Sequence, residues 1–218
     1  SRQAIFAGRV PFLFPESIET TAKESIYWTQ FWIDNGYKAE HVVYAKWSGA
    51  ERLNSVSEAL SRPQTRIVGL VVGMVDKIMH GAQMGTASMH NQVRQWAEGP
   101  YLGELFDCLL SRGFRVYLTS DHGNIEAMGC GTPNEGAVAD LCGARARVYP
   151  DGILRQRVKE KFPEAIEWDS TGLPQNYLVL VAPHRQAFVQ KGLRVVCHGG
   201  IALEEIIVPL VEIERETR

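Results

Sequence analysis

Apolar positions along this chain fall into two patterns, and each predicts a different element. In TTAKESIYWTQFWIDNG, Ile26, Tyr27, Trp28, Phe31 and Trp32 recur at helical spacing, so their face is expected to be core. Thr20 or Thr21 is placed to cap this helix, Glu24 falls in its first turn, and Gly36 stops it. RIVGLVVGMVD (Arg66–Asp76) is instead a continuous apolar run, as in a strand buried on both faces of a parallel sheet. FRVYLTSD (Phe114–Asp121) has the same density, with Phe114, Val116 and Leu118 inside. Between these two runs, His90–Gly113 predicts one long helix or a pair bent near Gly99-Pro100. Strand, helix, strand in that order implies parallel strands joined by a right-handed crossover.

Shorter segments complete the pattern. Residues 3–8 form a helix remnant, His41–Trp47 a strand, and Asn54–Arg62 a helix. Arg145–Tyr149, Ala165–Asp169 and Tyr177–Pro183 are strands, with helix Ile153–Phe162 between the first two. HGGIALEEIIVPLVEIE predicts a short helical turn running into a strand. Residues 124–143 are rich in Gly and lack a period, so they form a loop or open an inserted lobe over 124–176. The expected fold is α/β: one domain over residues 1–218, a three-layer αβα sandwich with a mostly parallel central sheet.

Composition narrows the function. Net charge is −2, from 23 Lys+Arg against 25 Asp+Glu, so no global field favours nucleic acid or an anionic membrane. No apolar run reaches the ~18 residues of a membrane span. The four cysteines have no zinc-finger spacing, and reduced thiols in a cytoplasmic protein are expected. Cys197 is expected to be structural.

The chemistry sits where elements end. Asp121 and His122 follow the strand Phe114–Asp121, and carboxyl ends of strands collect ligand sites in open α/β sheets. Gly123 is expected to re-aim them through a positive φ. The alternative is an Asp that merely caps a turn beside an exposed His. Asp76 closes the other apolar run, and His80 lies four residues on, sharing its face if a helix begins there. His198 precedes two glycines in CHGG. Carboxylate with imidazole is ligand chemistry for Zn²⁺, Mn²⁺ or Fe²⁺ rather than Ca²⁺. His41, His90 and His184 have no such neighbours.

The order DxxxH, SDHG, HGG resembles the alkaline phosphatase superfamily. With SRQAIFAGRVP, KESIYWTQFW, VDKIMH, TSDHGN and HGGIALEEIIVPLV, the chain more closely resembles the PglZ-domain proteins of bacterial phage-defence (BREX) systems, over nearly its whole length. That resemblance implies an alkaline-phosphatase-like fold and a metal-dependent phosphatase or phosphodiesterase. It implies divalent metals, Zn²⁺ first, with Mn²⁺ or Mg²⁺ as alternatives, and defence-complex proteins and a phosphate ester as partners. It assigns Asp76, His80 and His198 to one metal, and Asp121 and His122 to a second. Two such ions lie ~3.5–4 Å apart and clamp the attacking and leaving oxygens of an in-line displacement. The nucleophilic Ser or Thr and a further Asp are expected upstream of Ser1, so the chain is expected to be the C-terminal part of its domain. Arg145 or Arg147, on RARVY, is the arginine expected to reach substrate. The rival expectation is a non-catalytic scaffold of a defence complex, its metal site stabilising the fold or holding a partner.

Overall fold

The computed structural model of the chain describes residues 1–49, 53–81, 85–133 and 141–215. Helix α1 (Arg2–Ala7) lies against α2 (Glu24–Asp34) through interlocked aromatic rings. Phe6 meets Trp28 edge-on at 5.3 Å between ring centres, and Trp28 meets Trp32 at 5.3 Å. The Trp28 indole N–H donates to the Val43 carbonyl at 3.1 Å, tying α2 to strand β1 (Val42–Trp47). This face is narrower than its spacing predicts, because Ile26 points outward at 62% exposure. The helix also starts later than predicted. Thr20 Oγ1 accepts from the Ala22 N–H at 3.1 Å, so the hydroxyl closes a local turn instead of capping α2.

Strand β1 runs parallel to β2 (Ile67–Val72), in register from Val42 opposite Ile67 to Trp47 opposite Val72. Helix α3 (Asn54–Leu60) connects them. The second apolar run is not all strand. After β2 the Gly73 N–H donates to the Trp47 carbonyl at 3.0 Å, and helix α4 (Met74–Gly81) begins. Asp76 therefore stands in the first turn of a helix. The predicted pair follows as α5 (Gly85–Ala97) and α6 (Pro100–Ser111), with Pro100 at a helix start where its missing N–H is no loss.

The remaining strands are β3 (Val116–Thr119), β4 (Ile125–Gly129), β5 (Leu141–Cys142), β6 (Ala146–Tyr149), β7 (Ile166–Glu167), β8 (Leu178–Val181), β9 (Gln186–Ala187), β10 (Arg194–Cys197) and β11 (Leu210–Ile213). Helix α7 (Gly152–Lys161) precedes β7, and α8 (Leu203–Ile206) precedes β11.

The pairings correct the expected architecture. β3 pairs antiparallel with β11, and no ladder to β2 is present among the described residues. Only β1–β2 and β4–β9 are parallel, so the described sheets are small and mostly antiparallel, and no three-layer sandwich with a mostly parallel centre is shown. An apolar run reports burial, not which strand lies alongside. β2 and β3 instead share a core, with Val68, Leu70 and Val72 packed against Trp47, Val56, Leu105, Leu109 and Val116.

Residues 124–143 hold β4, the middle of the sheet β10–β4–β9, and β5; residues 134–140 lie outside the described residues. Ile125, Ala127 and Gly129 face inward with period two, but Ala and Gly carry too little hydropathy to announce a strand. The sheet β5–β6–β8–β7 is antiparallel yet covered on both faces. Tyr149 and Leu180 pack with Val158 of α7, while Val148, Val179 and Val181 pack with Ile18 and Ile201.

Candidate metal centre

Three elements deliver the site. On α4, Asp76 and His80 are one turn apart, and His80 Nε2 lies 3.4 Å from Asp76 Oδ1. The β4–β10 ladder ends at Ile125 opposite Cys197, so His122 and His198 leave the same end of an antiparallel pair. Their rings stack with centres 3.9 Å apart and planes 11° from parallel. Helix α4 packs on β10, which brings Asp76 to both. One ligand atom from each of Asp76, His122 and His198 lies within 4.8 Å of the other two. The His80 ring is 6.0 Å from that of His198, and Asp121 Oδ1 is 3.8 Å from His122 Nε2. All five sequence-selected residues are thus neighbours. Asp76, His122 and His198 form one close group, and His80 lies against Asp76.

The donors are suited to a cation. His122 Nδ1 lies 2.9 Å from the Gly123 carbonyl, which can only accept, so Nδ1 is the donor and in the neutral ring Nε2 is left with the lone pair. A second partner that fixes the tautomer in this way is the usual support for a ligand histidine. Burial pushes the His198 imidazole below its ordinary pKa, and the adjacent His122 adds to this, while the Asp76 carboxylate opposes it. The neutral form that binds metal is therefore favoured. Ligands 2.0–2.2 Å from one tetrahedral ion sit about 3.3–3.6 Å from one another, so these three atoms need draw in by little more than an ångström. Asp76 and His80 are more than half exposed, leaving the site open. Two imidazoles and a carboxylate fit Zn²⁺ or a similar divalent ion.

Behind this open cluster lies a closed one. Arg145 and Glu205 are each 1% exposed and meet in a two-pronged pair, Nε to Oε1 at 3.0 Å and NH2 to Oε2 at 3.0 Å. The third arginine nitrogen, NH1, donates to the Gln186 carbonyl. The same carboxylate accepts from the Gly200 N–H at 2.8 Å and the Ala202 N–H at 3.1 Å, which fixes the loop after His198. A Cβ on Gly200 would meet Glu205 Oε2 at 2.5 Å and Arg145 NH2 at 2.7 Å. Arg145 therefore acts as a bracket for the loop after His198, with all three of its nitrogens engaged by protein groups. Arg147 is also buried, donating to the Phe188 carbonyl at 3.0 Å with its guanidinium over the Phe188 ring. Both RARVY arginines are thus buried among protein groups, where one of them had been expected to reach substrate.

Gly123 has a different role from the one expected. Its φ is not positive; instead, a Cβ would overlap the Glu204 carbonyl oxygen. Its N–H donates to the Glu205 carbonyl at 2.8 Å, bolting the DHG segment to helix α8, which follows HGG. Cys197 is buried and its thiol is pushed up to about 11 by that burial, which suits the structural role expected of it. Glu205 was not legible in the sequence, because an acid in LEEII looks like one side of a solvated helix.

No individual curated protein matches the chain. Residues 1–213 match the family described as the BREX system PglZ alkaline phosphatase-like domain. With the DxxxH, DHG and HGG segments meeting at one cluster, the match covers both the site and the fold around it. The chain belongs to the PglZ alkaline phosphatase-like domain family of BREX systems.

Proposed function

We propose that this domain is a metal-dependent hydrolase of the phosphatase or phosphodiesterase type that acts in bacterial phage defence, within a multi-protein complex. The observation that carries the reading is the convergence of Asp76, His122 and His198 within 4.8 Å. His80 and Asp121 complete the ligand set, at the one site or at an adjoining second one. A divalent ion held there would polarise a phosphoryl oxygen and lower the pKa of a hydroxyl nucleophile. The chain's own residues prepare for it. His122 presents Nε2 because Gly123 occupies Nδ1, and burial beside another imidazole shifts His198 toward its neutral form. Glu205 and Gly123 hold both loops in register.

The alternative is a non-catalytic scaffold with a structural metal. It is favoured by the apolar surface near the chain's end, where Leu203, Ile207 and Leu210 are 67–74% exposed. Hydrolysis of p-nitrophenyl phosphate and its bis ester by the full-length protein, with Zn²⁺ or Mn²⁺ added, separates the two. Turnover that His198→Ala abolishes supports the hydrolase. Tight metal binding without any turnover supports the scaffold.

A further inference from the structure

A second arginine is held by a buried carboxylate, and it is held differently. Glu24, on α2, is wholly buried, yet it is ionised. Burial alone would raise its carboxyl, but hydrogen bonds from Arg2, Tyr44 and Lys46 outweigh that and hold it below the usual carboxylate range. Arg2 Nε donates at 2.7 Å, Tyr44 Oη at 2.5 Å, and Lys46 Nζ lies 3.2 Å away. Lys46 Nζ also faces the Thr21 carbonyl and hydroxyl, at 3.4 and 3.3 Å. The Arg2 side chain is 29% exposed, and its two terminal nitrogens have no partner among the described residues.

The position of this arginine matters. Tyr44 and Lys46 lie toward the carboxyl end of β1, opposite Gly69 and Val71 of β2. Three residues beyond Val71, helix α4 begins and carries Asp76. Burial lowers the Arg2 pKa, but the hydrogen bond and charge of Glu24 outweigh it and raise the pKa above its ordinary value, with a smaller contribution in the same direction from the Asp121 charge. A planar fork of N–H donors, fixed at its Nε end and open at the other, suits two oxygens of one oxyanion. Arg145 has no such opening, since all three of its nitrogens are engaged.

We propose that Arg2 binds the phosphoryl oxygens of the substrate, and that Glu24 is the residue that positions it. This rests on the hydrolase reading for the identity of the ligand, an oxyanion of phosphate type beside the Asp/His cluster. Inorganic phosphate is the probe. Calorimetric titration of the metal-loaded protein is expected to show Arg2→Ala binding phosphate about 10- to 100-fold more weakly, the range for charge-assisted hydrogen bonds. Arg2→Lys should recover part of this, since it restores the charge but not the fork. Arg9→Ala, which removes an equal charge from an exposed pair with Asp34, should change it less than about twofold. Glu24→Gln should raise KM more than it lowers kcat, with the melting temperature confirming the fold.

A second measurement needs no variant. Phosphate should slow labelling of Arg2 by an arginine-specific dicarbonyl, read by mass spectrometry, and leave Arg9 labelling unchanged. Arg2-dependent phosphate binding without turnover would uphold this inference and sink the hydrolase reading. Turnover with phosphate affinity and Arg2 labelling unaffected would do the reverse. A wild-type protein that binds no phosphate overturns the role of Arg2.

Discussion

Arg145–Glu205 and Arg2–Glu24 are the same chemical pair in two different states of completion. In the first, both side chains are 1% exposed and every arginine nitrogen has a partner. In the second, the carboxylate is buried and fully served, but the arginine offers only Nε to it. Satisfied groups hold loops in place, and groups left open are free to take a ligand. The Asp/His cluster follows the same rule. Asp76, His122 and His198 lie within 4.8 Å of one another without neutralising one another, directly in front of the loop that Glu205 ties down.

The comparison breaks most sharply if the closed pair is cut. Arg145→Ala leaves Glu205 as a buried charge without its counterion, and stability should fall by about 3–5 kcal/mol. Urea unfolding should show this, and zinc affinity should fall with it, because the His198 loop loses its anchor. Equal stability of the variant and the wild type would deny the bracket its role. Gly123→Ala comes next. Its methyl would displace the Glu204 backbone, at an expected ~1–3 kcal/mol, with a weaker zinc site as the readout that separates local distortion from general loosening.

The pH dependence follows from the two depressed carboxylates. Glu24 and Glu205 both have folded pKa values below the unfolded ones. Their contribution is fully present above the unfolded carboxylate range and is lost as pH falls through the folded values. Urea midpoints between pH 7 and pH 3 should therefore fall on the acid side, and Glu205→Gln should flatten that fall. The smallest effect on stability is expected at the open pair. Arg2→Ala leaves Glu24 with Tyr44 and Lys46, so the loss should be about 1.5 kcal/mol, the low end for a hydrogen bond to a charged group, although phosphate binding suffers. A loss as large as that of Arg145→Ala would mean that the two pairs do the same work.

The sequence made the elements and the five cluster residues legible, because helical spacing, apolar runs and strand-end acids are local features. Asp76 and His80 could be paired from their spacing alone. The ladder that brings His122 beside His198 could not, since it joins residues as far apart as Ile125 and Cys197 through a strand of Ile, Ala and Gly that shows no hydropathic alternation. Strand pairing failed for the same reason: β3 meets β11 from the far end of the chain, and nothing local to FRVYLT names that partner. Arginine roles were illegible because they depend on burial. RARVY looks like a strand with outward arginines, yet both are buried, while Arg2 sits in a segment that looks like a helix remnant.

The most direct test of the central claim is a zinc titration by calorimetry of the wild-type protein, His122→Ala and His198→Ala. The grouping of Asp76, His122 and His198 predicts a tight site in the wild type. Either substitution should weaken it by more than the ~10–100-fold typical of losing an outer-shell partner. A His122→Ala variant that binds zinc as tightly as the wild type would contradict it and return His122 to a separate site with Asp121.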